Sequence, residues 1–137
     1  MLIAITGANG FVGKYLSQFL EKENHLIRRI QRKKNKNSFY IKNIDKHTNW
    51  TSALKNVDVI IHCAAKVHIF ENDKNVIDEY YSFNVDSTLK LANKAIQMGV
   101  KKFIFISSIK VLGEETTKNC PLDWFIWSHA LNLGFKA

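Results

Sequence analysis

The sequence predicts an α/β domain: a doubly wound, parallel, three-layer sheet of about five strands in the order 3-2-1-4-5, joined by right-handed crossovers. Three observations predict it. The chain opens with an apolar run that passes through closely spaced glycines into a helical stripe, MLIAITGANGFVGKYLSQFL. Further short apolar runs then alternate with helix-period segments, the pattern of repeated strand–helix–strand units. Those runs are apolar on successive residues, as strands covered on both faces are.

Leu2–Thr6 is the first strand. Gly7, Gly10 and Gly13 follow at three-residue spacing. Gly7 permits a tight turn off the strand, Gly10 lets backbone approach a ligand, and Gly13 lets the next helix lie close to the sheet. Val12, Tyr15, Leu16, Phe19 and Leu20 form that helix's apolar stripe. Its free N–H groups and positive dipole end suit a pyrophosphate. A plain turn is the alternative, and the strand before and helix after weigh against it. No Gly-Lys-Ser/Thr ends the loop, which excludes a Walker A site.

His25–Ile30 reads as the second strand, and six basic residues, Arg28, Arg29, Arg32, Lys33, Lys34 and Lys36, fall within nine positions around its end. NAD sites place an acid about twenty residues past the glycines, on the ribose 2′-hydroxyl. No acidic residue lies between Glu23 and Asp45. NADP is therefore favoured over NAD, with Arg29 and Arg32 as the 2′-phosphate contacts. A solvated loop and a nucleic-acid patch are the other readings of the cluster; the lack of interleaved aromatics argues against single-strand binding.

Phe39–Ile44 reads as a third strand ending at Asp45, whose carboxylate could accept from an adenine amino group or cap the next helix. Trp50, Ala53 and Leu54 give a short amphipathic helix, and Val57–Ala65, the most apolar run, a central strand. The small Ala64–Ala65 pair leaves room for ribose and nicotinamide. His62 reads as a buried, hydrogen-bonded histidine before any catalytic one. Val76–Met98 is one long helix burying Ile77, Tyr80, Tyr81, Val85, Leu89, Ala92, Ala95 and Ile96, with Gly99 as its C-cap. Phe103–Ile106 is the fifth strand. It ends in Ser107-Ser108, hydroxyls at a carboxyl edge where a nicotinamide pocket lies, or simply a turn or cap.

At 137 residues, 46% hydrophobic and 23% charged, with a net charge of +8, the chain fits one globular domain. Cys63 and Cys120 make no zinc or C-x-x-C spacing, and Cys63 sits in an apolar run. No metal site is expected, and a reducing cytoplasm suits a buried thiol. No stretch is long enough to span a bilayer, and the N-terminus is a core strand rather than a signal peptide, so a soluble cytoplasmic protein without a membrane partner is expected.

The ordered set TGANGFVG, Asp45, DVIIHCAA, Asn84 in NVDST, and SSIKVLGE resembles the extended short-chain dehydrogenase/reductase family, in its NAD-dependent epimerase/dehydratase branch acting on nucleotide sugars. It covers about residues 1 to 115. AAKVH and SSIKV are most similar to members near the UDP-hexosamine 4-epimerases and reductases. The resemblance implies a Rossmann-like domain in which Thr6, Gly7, Asn9, Gly10, Phe11, Val12 and Gly13 line the pyrophosphate and Asp45 meets adenine. Ala64, Ala65 and Lys66 would flank the ribose and nicotinamide, with Ser107 beside the cofactor, while Asn84 supports the site from inside. Ser108, three positions before Val111 as in the family's S-x-x-V pattern, would be the catalytic hydroxyl; Leu112 replaces that pattern's tyrosine.

The family's reaction is hydride transfer between a sugar carbon and the nicotinamide. A tyrosine moves the hydroxyl proton, its pKa lowered by a lysine four residues on. No tyrosine follows Tyr81 in this chain, and the ending from Pro121 to Ala137 matches nothing expected there. The expectation is an NAD(P)-binding domain over residues 1–118, an atypical apolar tail over 119–137 and no substrate-binding domain. This would be a truncated form with little or no activity, arising from a premature stop or frameshift just after about residue 118. Trp124, Phe125, Ile126, Trp127, Leu131, Leu133 and Phe135 would either cover the sheet edge or promote self-association. The expected partners are a dinucleotide and, only through a complementing fragment, a nucleotide sugar. The alternatives are a noncatalytic NADP-sensing or assembly module, and nucleic-acid binding through the basic cluster.

Overall fold

The computed structural model describes residues 1–66 and 74–107. Residues 1–105 form one compact unit; of a second, 106–137, only Ile106 and Ser107 are among the described residues. In chain order the elements are β1 (Leu2–Thr6), α1 (Phe11–Lys22), β2 (Leu26–Gln31), β3 (Phe39–Tyr40), β4 (Val59–His62), α2 (Lys74–Tyr81), a π-turn (Ser82–Asp86), α3 (Ser87–Gln97) and β5 (Lys102–Phe105). All strand pairs are parallel and the order is β3-β2-β1-β4-β5, the expected doubly wound α/β sheet, here open rather than closed.

Alternation along the strands divides the core in two. Ile3, Ile5 and Ile61 pack with Ala8 beneath α1, against Leu16 and Leu20. Ala4, Ile30 and Ile60 pack on the other face with Trp50, Leu54, Leu91, Ala95 and Val100. In the register that results, Thr6 lies opposite Ile30 on one side and His62 on the other, so these three residues share the carboxyl edge. At the amino edge the Asp58 carboxylate accepts from the Leu2 N–H at 2.8 Å and from the Lys101 ammonium at 2.8 Å. Lys101, then the Leu2 amide, holds that carboxyl below its ordinary pKa.

Four elements differ from the sequence expectation. Helix α1 buries Gly13 and Ser17 rather than the stripe through Tyr15 and Phe19. Close approach to the Gly7–Ala8 turn needs Gly13 inward, which leaves Val12, Tyr15 and Phe19 in solvent, where the last two rings stack 6.4 Å apart. Strand β3 is only two residues long, and the chain bends from Ile41 to Asp45. Trp50, Ala53 and Leu54 are fully buried, but on turns rather than a helix; Arg28 closes them by donating to the Ala53 and Lys55 carbonyls at 2.9 and 2.6 Å.

The long helix is broken by the π-turn. Its inward face beyond the break is Ser87, Leu91, Ala92 and Ala95, while Ile77, Tyr81, Val85, Leu89 and Ile96 are exposed. The shifted turn moves the apolar positions off the 3.6-residue phase that the sequence count assumed. Gly99, at φ 71°, ends the helix as expected, with Val100 N–H returning to the Ala95 carbonyl at 3.0 Å.

Candidate functional site

The chain leaves β1 through Gly7, whose φ of 65° favours glycine. Gly10 N–H closes the turn on the Gly7 carbonyl at 2.9 Å, and the first helical bond runs from Lys14 N–H to the Gly10 carbonyl at 2.9 Å. The N–H groups of Phe11, Val12 and Gly13 therefore have no acceptor among the described residues. No side chain caps this helix start and no acid stands in its first turn. Uncapped N–H groups without a protein acceptor at the positive end of a twelve-residue helix suit an anion.

Two glycines keep that seat compact. A Cβ on Gly7 would fall 2.8 Å from the Ala64 nitrogen, and one on Gly13 would lie inside the Gly7 carbonyl. The turn after β1 and the segment after β4 are thus in backbone contact at one edge. Asn9 and Phe11, the latter 96% exposed, project into solvent beside it.

Ala64, Ala65 and Lys66 follow β4. The Asn84 side chain holds both backbone groups of Lys66: its Oδ1 accepts from Lys66 N–H and its Nδ2 donates to the Lys66 carbonyl, each at 2.8 Å. Asn84 sits at the centre of the π-turn. There the backbone pairing slips, Ser87 N–H reaching the Ser82 carbonyl, and the Ser87 and Thr88 hydroxyls bond the Phe83 and Asn84 carbonyls. The Lys66 ammonium pairs with Glu79 at 2.6 Å.

His62 is buried, as the sequence suggested. Its Nδ1 lies 2.6 Å from the Thr6 hydroxyl, its Nε2 lies 3.0 Å from the Thr88 hydroxyl, and its ring stacks on Phe105 at 5.8 Å. Loss of solvent pushes its pKa down to about 4, so the ring is neutral near pH 7. Burial raises the pKa of the half-buried Cys63 thiol, which keeps it protonated and unreactive.

The basic cluster divides by register. Arg32 comes directly after β2, exposed at the carboxyl edge, with its guanidinium 5.5 Å from the Phe83 ring centre. Arg29 does not share that position. It lies within β2 opposite Ile5, and its guanidinium is engaged by Glu21 of α1 through two bonds of 2.6 Å. The pleat turns Arg29 toward α1, while Arg32 stands at the edge.

Asp45 Oδ1 accepts from His47 N–H at 2.8 Å and from the Thr48 hydroxyl at 3.2 Å, a turn-capping role. Its other oxygen makes no hydrogen bond among the described residues. Ser107 is half-buried two residues past β5. Ser108, Cys120 and the tail lie outside the described residues. Among the described residues no three His, Cys, Asp or Glu side chains are grouped to hold a metal, and no helix is long and apolar enough to cross a membrane.

The sequence reading did not find Thr88, nor the link from His62 to Asn84. A signal existed: Asn84, Ser87 and Thr88 are polar residues on the same helical face as Leu91 and Ala95, and polar groups facing a core need partners.

A family model described as "NAD dependent epimerase/dehydratase family" matches residues 3–123. UDP-glucose 4-epimerase of Vibrio cholerae is 38% identical over 125 residues, which take in 87% of this chain and 38% of that protein. Two solved structures are similar. MoeE5 in complex with UDP-glucose and NAD has a TM-score of 0.71 at 26% identity, over 84% of this chain and 39% of its own. UDP-glucuronic acid 4-epimerase from Bacillus cereus in complex with NAD has a TM-score of 0.69 at 26% identity, over 85% and 43%. The chain therefore spans about two-fifths of the length of these relatives.

Proposed function

Because the chain belongs to the NAD dependent epimerase/dehydratase family, we propose that residues 1–118 are an NAD(P)-binding domain that seats the dinucleotide's pyrophosphate on the uncapped start of α1. The observation that carries this reading is the glycine turn itself. Three N–H groups there have no partner among the described residues, on a turn whose close backbone packing against Ala64 and onto α1 requires glycine at 7 and 13. The described residues fit the group.

In this reading Thr6, Asn9 and Gly10 complete the pyrophosphate loop with Phe11, Val12 and Gly13. The free oxygen of Asp45 meets the adenine amino group. Ala64, Ala65 and Lys66 flank the ribose and nicotinamide, with Asn84 fixing the Lys66 backbone. When bound, the nicotinamide supplies hydride exchange with a sugar carbon. Ser108 would orient the sugar hydroxyl. The 137 residues contain no tyrosine after Tyr81 to take its proton, so by themselves they bind cofactor without stabilising the transition state. A UDP-sugar would be used only with a proton acceptor and sugar site supplied by further sequence.

The same reading favours NADP. The edge residue after β2 is Arg32 where NAD sites carry an acid, and a guanidinium suits a 2′-phosphate bidentately. Titration with NADPH and NADH, followed by thermal stability, tests both levels. A ligand that binds only the folded state at a hundredfold excess over its Kd adds about 2.7 kcal/mol. NADPH should bind more tightly than NADH, Arg32→Ala should remove about tenfold of that preference, and Arg29→Ala should leave it unchanged. No response to either dinucleotide would overturn the cofactor reading. Conversion of a UDP-hexose by the 137-residue chain with NAD(P) would overturn the absence of turnover.

A further inference from the structure

Thr6, His62, Thr88 and Asn84 form one hydrogen-bonded line across the carboxyl edge of the sheet, and counting protons gives its direction. The Thr88 hydroxyl donates its only hydrogen to the backbone carbonyl of Asn84, one helical turn back, at 2.8 Å, so toward His62 Nε2, at 3.0 Å, its oxygen can only accept. Nε2 therefore carries the imidazole proton. Nδ1 of the neutral ring is bare, and the Thr6 hydroxyl, 2.6 Å away, donates to it. The Thr6 oxygen in turn accepts the Ala64 N–H at 3.3 Å. Each donor along the line meets one acceptor, which makes the Nε2–H tautomer the one that satisfies every member. Phe105 and Phe103, with ring centres 5.8 and 6.1 Å away, hold the imidazole plane against rotation.

The two ends of the line reach the two halves of the edge. At one end is Ala64, whose backbone abuts Gly7. At the other is Asn84, whose amide grips both backbone groups of Lys66. We propose that His62 is a positioning residue that sets the Ala64–Lys66 segment against the glycine turn, acting through Thr6 on one side and through Thr88 and Asn84 on the other. The proposal rests on the dinucleotide reading, in which that turn holds the pyrophosphate and that segment flanks the ribose and nicotinamide. His62 touches neither half of the ligand in this arrangement. A space-filling role would need only the ring; positioning needs both nitrogens.

The test begins without ligand, as amide hydrogen exchange of the intact chain followed by NMR. Thr88→Val keeps the shape and removes one link. It should speed exchange of the Lys66 amide about tenfold, the equivalent of one lost hydrogen bond, leave Ala64 within about twofold, and be rescued by Thr88→Ser. His62→Phe should speed Ala64 and Lys66 together. Wild-type rates at Lys66 in Thr88→Val, or an even acceleration that includes Ile60 and Ile61, would overturn the proposal. If His62→Phe fails to fold, the Thr88 pair decides alone.

The ligand arm then compares NADPH with ADP-ribose. Thr88→Val should weaken NADPH about tenfold and ADP-ribose, which lacks the nicotinamide, less than about twofold; equal weakening of both would overturn the proposal. A wild-type chain that takes up neither dinucleotide overturns the cofactor reading instead, and the exchange pattern then judges the His62 link by itself.

Discussion

Lowering the pH should remove stability through His62, because its ring is buried and neutral in the folded protein. Its pKa is about 4 against an ordinary value of 6.5. Well above pH 6.5 neither folded nor unfolded chain binds this proton, and His62 adds no pH dependence. Below it the unfolded chain takes up the proton and the folded one does not, so unfolding becomes easier by up to about 1.4 kcal/mol per pH unit. The loss should reach about 2 kcal/mol at pH 5 and about 3 kcal/mol near pH 4, where the folded ring also titrates. Urea unfolding at pH 7.5, 6.0 and 5.0 measures the slope, and His62→Gln, which carries a donor and an acceptor but no titrating ring, supplies the baseline. A His62→Gln protein that loses as much stability between pH 7.5 and 5.0 as the wild type would refute the reasoning.

Other outcomes follow from the contacts around the glycine turn. Gly13→Ala places a methyl against the Gly7 carbonyl, so α1 must withdraw from the turn; unfolding free energy should fall by about 1–3 kcal/mol and dinucleotide binding should be lost in the folded fraction. Asn84→Asp keeps an acceptor for Lys66 N–H but sets a carboxylate oxygen against the Lys66 carbonyl. Denaturant titration should show a loss of about 1–3 kcal/mol. The Glu21–Arg29 pair lies near the surface, so Glu21→Gln should cost less than about 1 kcal/mol and the difference should vanish in 1 M NaCl.

Where local and global signals coincide, the sequence was readable. An apolar strand, three spaced glycines and a following helix all point to the same turn, and that turn is present, with Gly7 at positive φ and Gly13 packed against it. The orientation of α1 was less readable, because counting apolar residues favours Tyr15 and Phe19 while close packing on the turn after β1 demands Gly13. Arg29 and Arg32 look alike in a run of basic residues. Only the pleat and a carboxylate on the preceding helix separate one that is engaged by Glu21 from one at the open edge. Trp50, Ala53 and Leu54 have helical spacing, yet a series of turns lying on the sheet buries the same positions. The π-turn left no periodic trace, since one slipped backbone bond resets the count; Asn84 could be matched to a family motif, but its grip on Lys66 could not be seen.

The carboxylate at the foot of the sheet has a consequence for the site at the other end. Parallel strands have no hairpin between them to set their alignment, and a shift of one residue exchanges the faces of every side chain. Asp58 joins the start of β1 to the residue that leads into β5, and so provides the datum from which β4 is measured. Four residues along, about 13 Å away, His62 arrives opposite Thr6 because of where counting began. A slip by one would bring Ile61 to that place and turn the imidazole toward α1. Alignment of the carboxyl edge is thus calibrated from the opposite edge of the sheet.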